Sequence, residues 1–175
     1  GTLAATLIFL GAFTYGVVYT LWLKKRTVWN VVIGGAAGSF ALLAGAVATA
    51  PSQGLAIGPV PMLLAAMLFL WTPPHFWALA IIRAKDYARA GVPMLPVVAG
   101  DDETRRQILL YSIQMLVLTL IPAVVGMFGL PYLLMAGILG AIFLYYAIRM
   151  QKNHSTNATW GLYKYSLLYL ALLFV

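Results

Sequence analysis

The chain has 175 residues, of which 63% are hydrophobic and 9% charged, with a mean hydropathy of +0.92. A soluble domain carries about 25% charged residues, so this composition excludes one and specifies an all-α polytopic membrane protein, a single membrane domain over residues 1–175 in the lipid bilayer. The net charge of +7 reads as orientation in that bilayer rather than as affinity for nucleic acid, and the absence of cysteine excludes disulfides, thiolate catalysis and cysteine metal sites.

Six spans are predicted in chain order. Gly1–Tyr19 is apolar throughout and long enough for a hydrocarbon core of about 30 Å. It ends in YTLWLKKRT, with Tyr19 and Trp22 as an interfacial belt before Lys24, Lys25 and Arg26. A second helix runs over Asn30–Ala50, and the uncharged PSQGLAIGPVP that follows reads as a tight loop. The third covers Pro61–Ile82, the fourth Gln107–Phe128, and the fifth starts after the Gly129–Pro131 turn and reaches Met150. The sixth, from Tyr163, is too short to span unless it begins near Trp160. No signal peptide is recognisable, and the chain reads as cut at both ends.

Lysine and arginine alternate by loop: three in Trp22–Asn30, none in Pro51–Val60, five in Arg83–Arg106, none in Gly129–Pro131 and three in Arg149–Lys164. The positive-inside rule puts the three charged loops on the cytoplasmic or matrix side. The sequons at Asn153 and Asn157 then face the wrong way for glycosylation.

All four carboxylates, Asp86, Asp101, Asp102 and Glu103, fall within Trp71–Gln107. The acidic triplet precedes the fourth helix, and Thr104-x-x-Gln107 has capping-box spacing, so helix-start chemistry accounts for it. Asp86 lies between Arg83 and Arg89 at i−3 and i+3. Two readings fit equally: an interfacial ion pair, or a carboxylate that holds a divalent cation while its basic neighbours take up a phosphate. His75 follows Pro73 and Pro74, which lack two N–H donors and predict a kinked or interrupted helix. It is either a hydrogen-bonded structural group or a ligand or acid/base. His154 reads as solvated. In GVPMLPVV, Pro93 and Pro96 forbid a regular helix and predict a stiff extended lid or re-entrant piece. Gly34–Gly38, GGAAG, reads as a helix-packing surface. Lys24-Lys25-Arg26 sets topology, and becomes an anion site if it faces the Trp71–Gln107 stretch.

The segments YTLWLKKRTVWNVVIGGAAGS, WTPPHFWALAI and KDYARAGVPMLPVVAG resemble the haem-farnesylating branch of the UbiA-type intramembrane prenyltransferase superfamily, over nearly the whole chain. The resemblance implies a nine-helix bundle of which these six would be the fourth to ninth. It also implies two Asp-rich segments on the cytoplasmic side that bind Mg²⁺ and the diphosphate of farnesyl diphosphate. KDYARAG would be the second of these. Arg83 and Tyr87 stand where many members carry acids, which leaves Asp86 as the metal-side carboxylate. By the same resemblance Tyr19, Lys24 and Lys25 lie near the diphosphate, with Arg26, Arg83, Lys85 and Arg89 beside them, and His75 orients the haem through its iron or a propionate. The first Asp-rich segment would lie upstream of Gly1, so this chain alone is expected to insert but not to turn over.

The implied reaction is transfer of the farnesyl group to a vinyl group of haem B, giving haem O, in a bacterial cell membrane or the mitochondrial inner membrane. Its implied protein partners are haem A synthase and the assembly of a terminal oxidase. Two other readings compete: a sister prenyltransferase acting on a quinone precursor or chlorophyll, and a non-enzymatic transporter or haem-handling protein. Deeply placed polar residues would favour the last, and these helices show almost none.

Overall fold

The computed structural model describes residues 1–49 and 57–174 as helices joined by short turns, with no strand among them. The helices are α1 (Thr2–Phe13), continued as a π-helix over Thr14–Leu23, α2 (Asn30–Gly34), α3 (Ala36–Thr49), α4 (Pro59–Ile82), α5 (Ala84–Arg89), α6 (Leu95–Val98), α7 (Gly100–Val124), α8 (Leu130–Lys152) and α9 (Thr156–Leu173). Five stretches, Thr2–Leu23, Asn30–Thr49, α4, α7 and α8, are long and apolar enough to cross a membrane. With α9, of 18 residues, they make the all-α polytopic membrane protein that the composition demands. The loop read over 51–61 lies outside the described residues as far as position 56.

Helix α4 is the centre of the bundle. It packs on α3, α7 and α9, while α8 joins α7 to α9 and α1 lies against α3. Trp77, Ala78 and Ala80 of α4 meet Ile108 and Met115 of α7, Phe143 and Ala147 of α8 and Leu162 and Tyr169 of α9 in one buried cluster. Lipid offers no hydrophobic drive between helices, so close packing and internal hydrogen bonds hold them. The Tyr132 hydroxyl donates to the Thr119 carbonyl and the Tyr165 hydroxyl to the Leu139 carbonyl, at 2.9 and 2.8 Å.

Several boundaries move from their sequence-based positions. The second span runs over Asn30–Thr49 as expected, with Gly35 a single turn residue that keeps helical dihedrals (φ −57°, ψ −27°) and donates its N–H to the Val31 carbonyl at 3.0 Å. Pro73 and Pro74 do not interrupt α4, which runs helical from Pro59 to Ile82. Two missing rungs are tolerated there because neighbouring helices enclose that stretch, where Pro73, Pro74 and His75 are all buried. The fourth span starts at Gly100 (φ +83°), not Gln107, so the three acids occupy its first turn. Thr104 therefore does not cap it: its hydroxyl donates back to the Gly100 carbonyl at 2.7 Å. The last helix starts at Thr156, with Ser155 Oγ accepting from the Ala158 amide at 3.2 Å.

GVPMLPVV is extended only in part: Val92–Met94 lies outside any helix, with Met94 at φ −68° and ψ 152°. Residues 95–98 form one helical turn with Pro96 near its start, where a missing N–H costs nothing. Val92, Met94, Leu95 and Pro96 are buried, so the segment belongs to the body of the fold rather than to a loose lid.

One buried cation joins the charged end together. Arg105, 2% exposed, donates to the Met150 carbonyl at 2.9 Å and to Thr159 Oγ1 at 3.4 Å, and sits 3.9 Å from Asp101. Met150 lies in the last turn of α8, where carbonyls lack intrahelical partners and a cation suits the helix dipole. His154, read as merely solvated, approaches Asp102 at 3.5 Å.

Two outcomes follow. Arg105→Met should lower stability by about 2–4 kcal/mol, because it strips donors from buried acceptors, and a thermal midpoint in detergent close to that of the parent would refute the joint. In membranes carrying this cysteine-free chain, single cysteines at Ala90 and Met127, on turns at opposite ends of α7, should react with an impermeant thiol reagent from opposite sides. Labelling of both from one side would break the bundle topology.

Candidate functional site

An open cavity of about 320 Å³ lies between the π-helix, α2, α3 and α4. Tyr15, Tyr19, Trp71 and Phe76 supply aromatic walls, and Gly34, Gly35 and Gly38 supply the gaps between them. A second apolar groove, about 510 Å³, continues from Tyr15, Ala37 and Gly38 along α1 and α3, past Gly11, Ala41 and Gly45 to Ala48. The GGAAG segment therefore does two jobs. A Cβ on Gly35 would sit 3.2 Å from Thr72 and one on Gly38 3.3 Å from Leu68, which is the close packing expected of it. The same absence of side chains opens the cavity.

Tyr19 lines this cavity. The π-helix runs on to Leu23, past the predicted end of the first span at Tyr19, and the Tyr19 ring stacks on Tyr15 with centroids 5.9 Å apart. The Lys24–Arg26 turn follows directly at the end of this helix. Lys24 is half-buried, and Lys25 and Arg26 are exposed. None of these three, nor Lys85, forms an ion pair among the described residues. Asn30, which the sequence did not single out, fixes this turn: it is fully buried, and its Nδ2 donates to the Thr27 carbonyl at 2.8 Å and the Lys24 carbonyl at 3.4 Å.

Asp86 sits in the first turn of α5 between the two arginines, 3.4 Å from Arg83 and 4.0 Å from Arg89, with more than half of its side chain exposed. Among the described residues no three of His, Asp and Glu converge as a metal site. Asp101, Asp102 and Glu103 are engaged with Arg105, His154 and Arg106 respectively. The ion-pair geometry and a single open carboxylate are thus both present at Asp86.

His75 lies behind the cavity wall that Trp71 forms. It is 5% exposed, lies between Trp71 (4.4 Å, 16°) and Tyr163 (4.6 Å, 19°), and meets Phe76 edge-on. Its Nδ1 is 2.7 Å from Ser166 Oγ. Trp71 and Ser166 are site residues that sequence reasoning missed, because their partnership spans α4 and α9.

A Cβ added at Gly34 would fall 2.6 Å from Tyr19 Cδ2. Gly34→Ala should therefore cost about 1–3 kcal/mol by overpacking, and much less in a Tyr19→Ala background. Equal costs in the two backgrounds, measured by thermal unfolding in detergent, would show that the Tyr19 ring does not rest on Gly34.

The model of the UbiA prenyltransferase family matches residues 1–172. A protein of Roseiflexus castenholzii named protoheme IX farnesyltransferase is 58% identical over 173 residues, covering 99% of this chain and 32% of its own length. One of the same name from Chloroflexus aurantiacus is 50% identical, over 98% of this chain and 29% of its own length. Protoheme IX farnesyltransferase 2 of Paramagnetospirillum magneticum is 49% identical, over 97% of this chain and 57% of its own length. The chain thus spans about a third to a little over half the length of these relatives. No solved structure matches it.

Proposed function

The chain belongs to the UbiA prenyltransferase family, and from that premise we propose that it serves the transfer of a farnesyl group from farnesyl diphosphate to a vinyl group of haem B, yielding haem O and diphosphate. The observation that supports this reading is the apolar aromatic cavity itself, whose lining residue Tyr19 stands one helical turn before the Lys24–Arg26 cluster at the end of the same helix. The names of the relatives supply the acceptor.

In this reading the farnesyl chain lies along the groove from Tyr19 towards Ala48, where small side chains leave room for it. Its diphosphate stays at the mouth, under Lys24, Lys25 and Arg26 from one side and Arg83, Lys85 and Arg89 from the other. The allylic C–O bond breaks with its electron pair going to the diphosphate, and cations placed to meet that developing charge lower the barrier. The vinyl π electrons form the new C–C bond, and water adds to the resulting cation and loses a proton. The packed aromatic walls restrict water until then. Tyr19 steers the diphosphate end, and His75 orients the haem from behind Trp71.

One exposed carboxylate does not make a resident Mg²⁺ site, so the described residues by themselves do not fit that ion. Asp86 would be the one carboxylate here to contact a divalent cation, which would supply neutralisation of the leaving group. The three charged loops lie on the cytoplasmic side of a bacterial cell membrane, as their lysine and arginine content argues.

In the full-length enzyme, given haem B, farnesyl diphosphate and Mg²⁺, Asp86→Asn and Lys25→Ala should each lower haem O formation by about 10² to 10³, the usual cost of one such electrostatic contact. Protein levels in the membrane should stay normal. Near-parental haem O peaks from both variants would return Asp86 to a surface ion pair and Lys25 to a topology signal. A prenylated quinone precursor in place of haem O would replace the acceptor.

A further inference from the structure

Ser166 has a single hydroxyl proton and two neighbours that could take it. Its Oγ lies 2.6 Å from the Tyr163 carbonyl, one turn back in α9, and 2.7 Å from His75 Nδ1 in α4. A carbonyl oxygen can only accept, so a proton sent to His75 would leave two oxygens facing each other at 2.6 Å with nothing between them. Sent to the carbonyl, it leaves the Oγ lone pairs for a donor, and the group in range is Nδ1. Both contacts are satisfied only if His75 carries its proton on Nδ1. The neutral ring then keeps its lone pair on Nε2, which makes no hydrogen bond among the described residues. The same residue's backbone carbonyl accepts from Trp71 Nε1 at 2.8 Å. Trp71 stacks on the His75 ring and lines the cavity.

We infer that Ser166 is the positioning residue of the cavity's aromatic wall: its hydroxyl fixes His75 as the Nδ1–H tautomer with Nε2 left as an acceptor, and its carbonyl fixes the indole of Trp71. An Nε2 lone pair can take a metal ion or a proton donor. The neutral ring cannot donate to a carboxylate there. Any effect on turnover rests on the reaction proposed above; the tautomer does not. Ser166 is wholly buried and His75 nearly so, which leaves no water to supply an alternative partner for Nδ1. Tyr163 closes the other face of the imidazole at 4.6 Å, so the ring cannot turn to exchange its nitrogens without opening the stack.

The test uses the full-length protein labelled with ¹⁵N-histidine in lipid nanodiscs, with the His75 signals assigned by their loss in His75→Gln. In the parent, Nδ1 should give the protonated-type resonance and Nε2 the unprotonated type. Ser166→Ala should redistribute the proton towards Nε2, Ser166→Thr should restore the parent pattern, and Ser166→Cys gives the same reading as alanine should that variant fail to fold. Turnover should fall about 10- to 100-fold in Ser166→Ala, the usual cost of removing an imidazole's orienting partner, with KM for farnesyl diphosphate unchanged and recovery in Ser166→Thr. A parental Nδ1 without its proton, or a tautomer indifferent to the alanine and cysteine variants, would overturn the proposal whatever the protein catalyses. A shifted tautomer with unaltered turnover would overturn the positioning role. A parental enzyme with the stated tautomer but no haem O would instead count against the reaction and leave the assignment of Ser166 standing.

Discussion

Polar groups inside this bundle depend on partners within the bundle, because hydrocarbon supplies none, and the few left without one, such as Trp77 Nε1 and the Tyr169 hydroxyl, are exceptions. That constraint decides more of the structure than hydrophobicity, which is spread almost evenly around the helices. Ser112 returns its hydroxyl to the Ile108 carbonyl and Thr119 to the Leu116 carbonyl, so these side chains are consumed by their own helix. The groups that reach a different helix are the ones that set the fold. Arg105 ties α7 to the last turn of α8 and the first turn of α9, and Ser166 ties α9 to α4 through both a hydroxyl and a carbonyl. One of these clasps lies at the charged end and the other deeper in the bundle, which fixes α9 along its length although it is the shortest of the six spans.

The cavity follows from the complementary device, the omission of side chains. Gly34, Gly35 and Gly38 let α2 and α3 approach Tyr19 and α4 closely, yet the same positions leave space that no neighbour fills. Aromatic rings bound the opening from the π-helix and α4, and they are held from behind: Trp71 by His75 and Ser166, Tyr19 by Tyr15 and Gly34. An apolar cavity in a helix bundle is otherwise costly, since the lining atoms lose dispersion contacts.

Approximate span number and helical class were legible in the sequence because each depends on a long-range average, about twenty apolar residues per crossing. Helix ends were less legible. Gln107 as a start and Tyr163 as a start both lost to upstream residues, Gly100 and Ser155, whose backbone and capping properties act locally in a segment that hydropathy reads as polar loop. The diproline was misread for a different reason. Soluble-protein experience makes two prolines a helix break, whereas a helix enclosed by neighbours continues through them. Expecting almost no deep polar residue was also wrong, since Arg105, Asn30 and several hydroxyl side chains are buried; single polar residues scattered in apolar runs carry no periodicity that would place them inside. The pairing of His75 with Ser166 could not be read at all, because it spans 91 positions and depends on which faces of α4 and α9 meet.

Charge arithmetic at the cavity mouth gives the site its direction. Of the four carboxylates, three are spent on α7, its Arg105 and Arg106 and the α8–α9 turn. Only Asp86 remains near α5, and it is shared between two arginines at distances that leave both partly exposed. Exposed pairs of this kind stabilise a fold by less than about 1 kcal/mol, so the arrangement has little structural value. What it does is keep Arg83, just before this six-residue helix, and Arg89, at its end, beside one carboxylate. With Lys24, Lys25, Arg26 and Lys85 forming no ion pair among the described residues, these two turns carry more positive charge than Asp86 can neutralise.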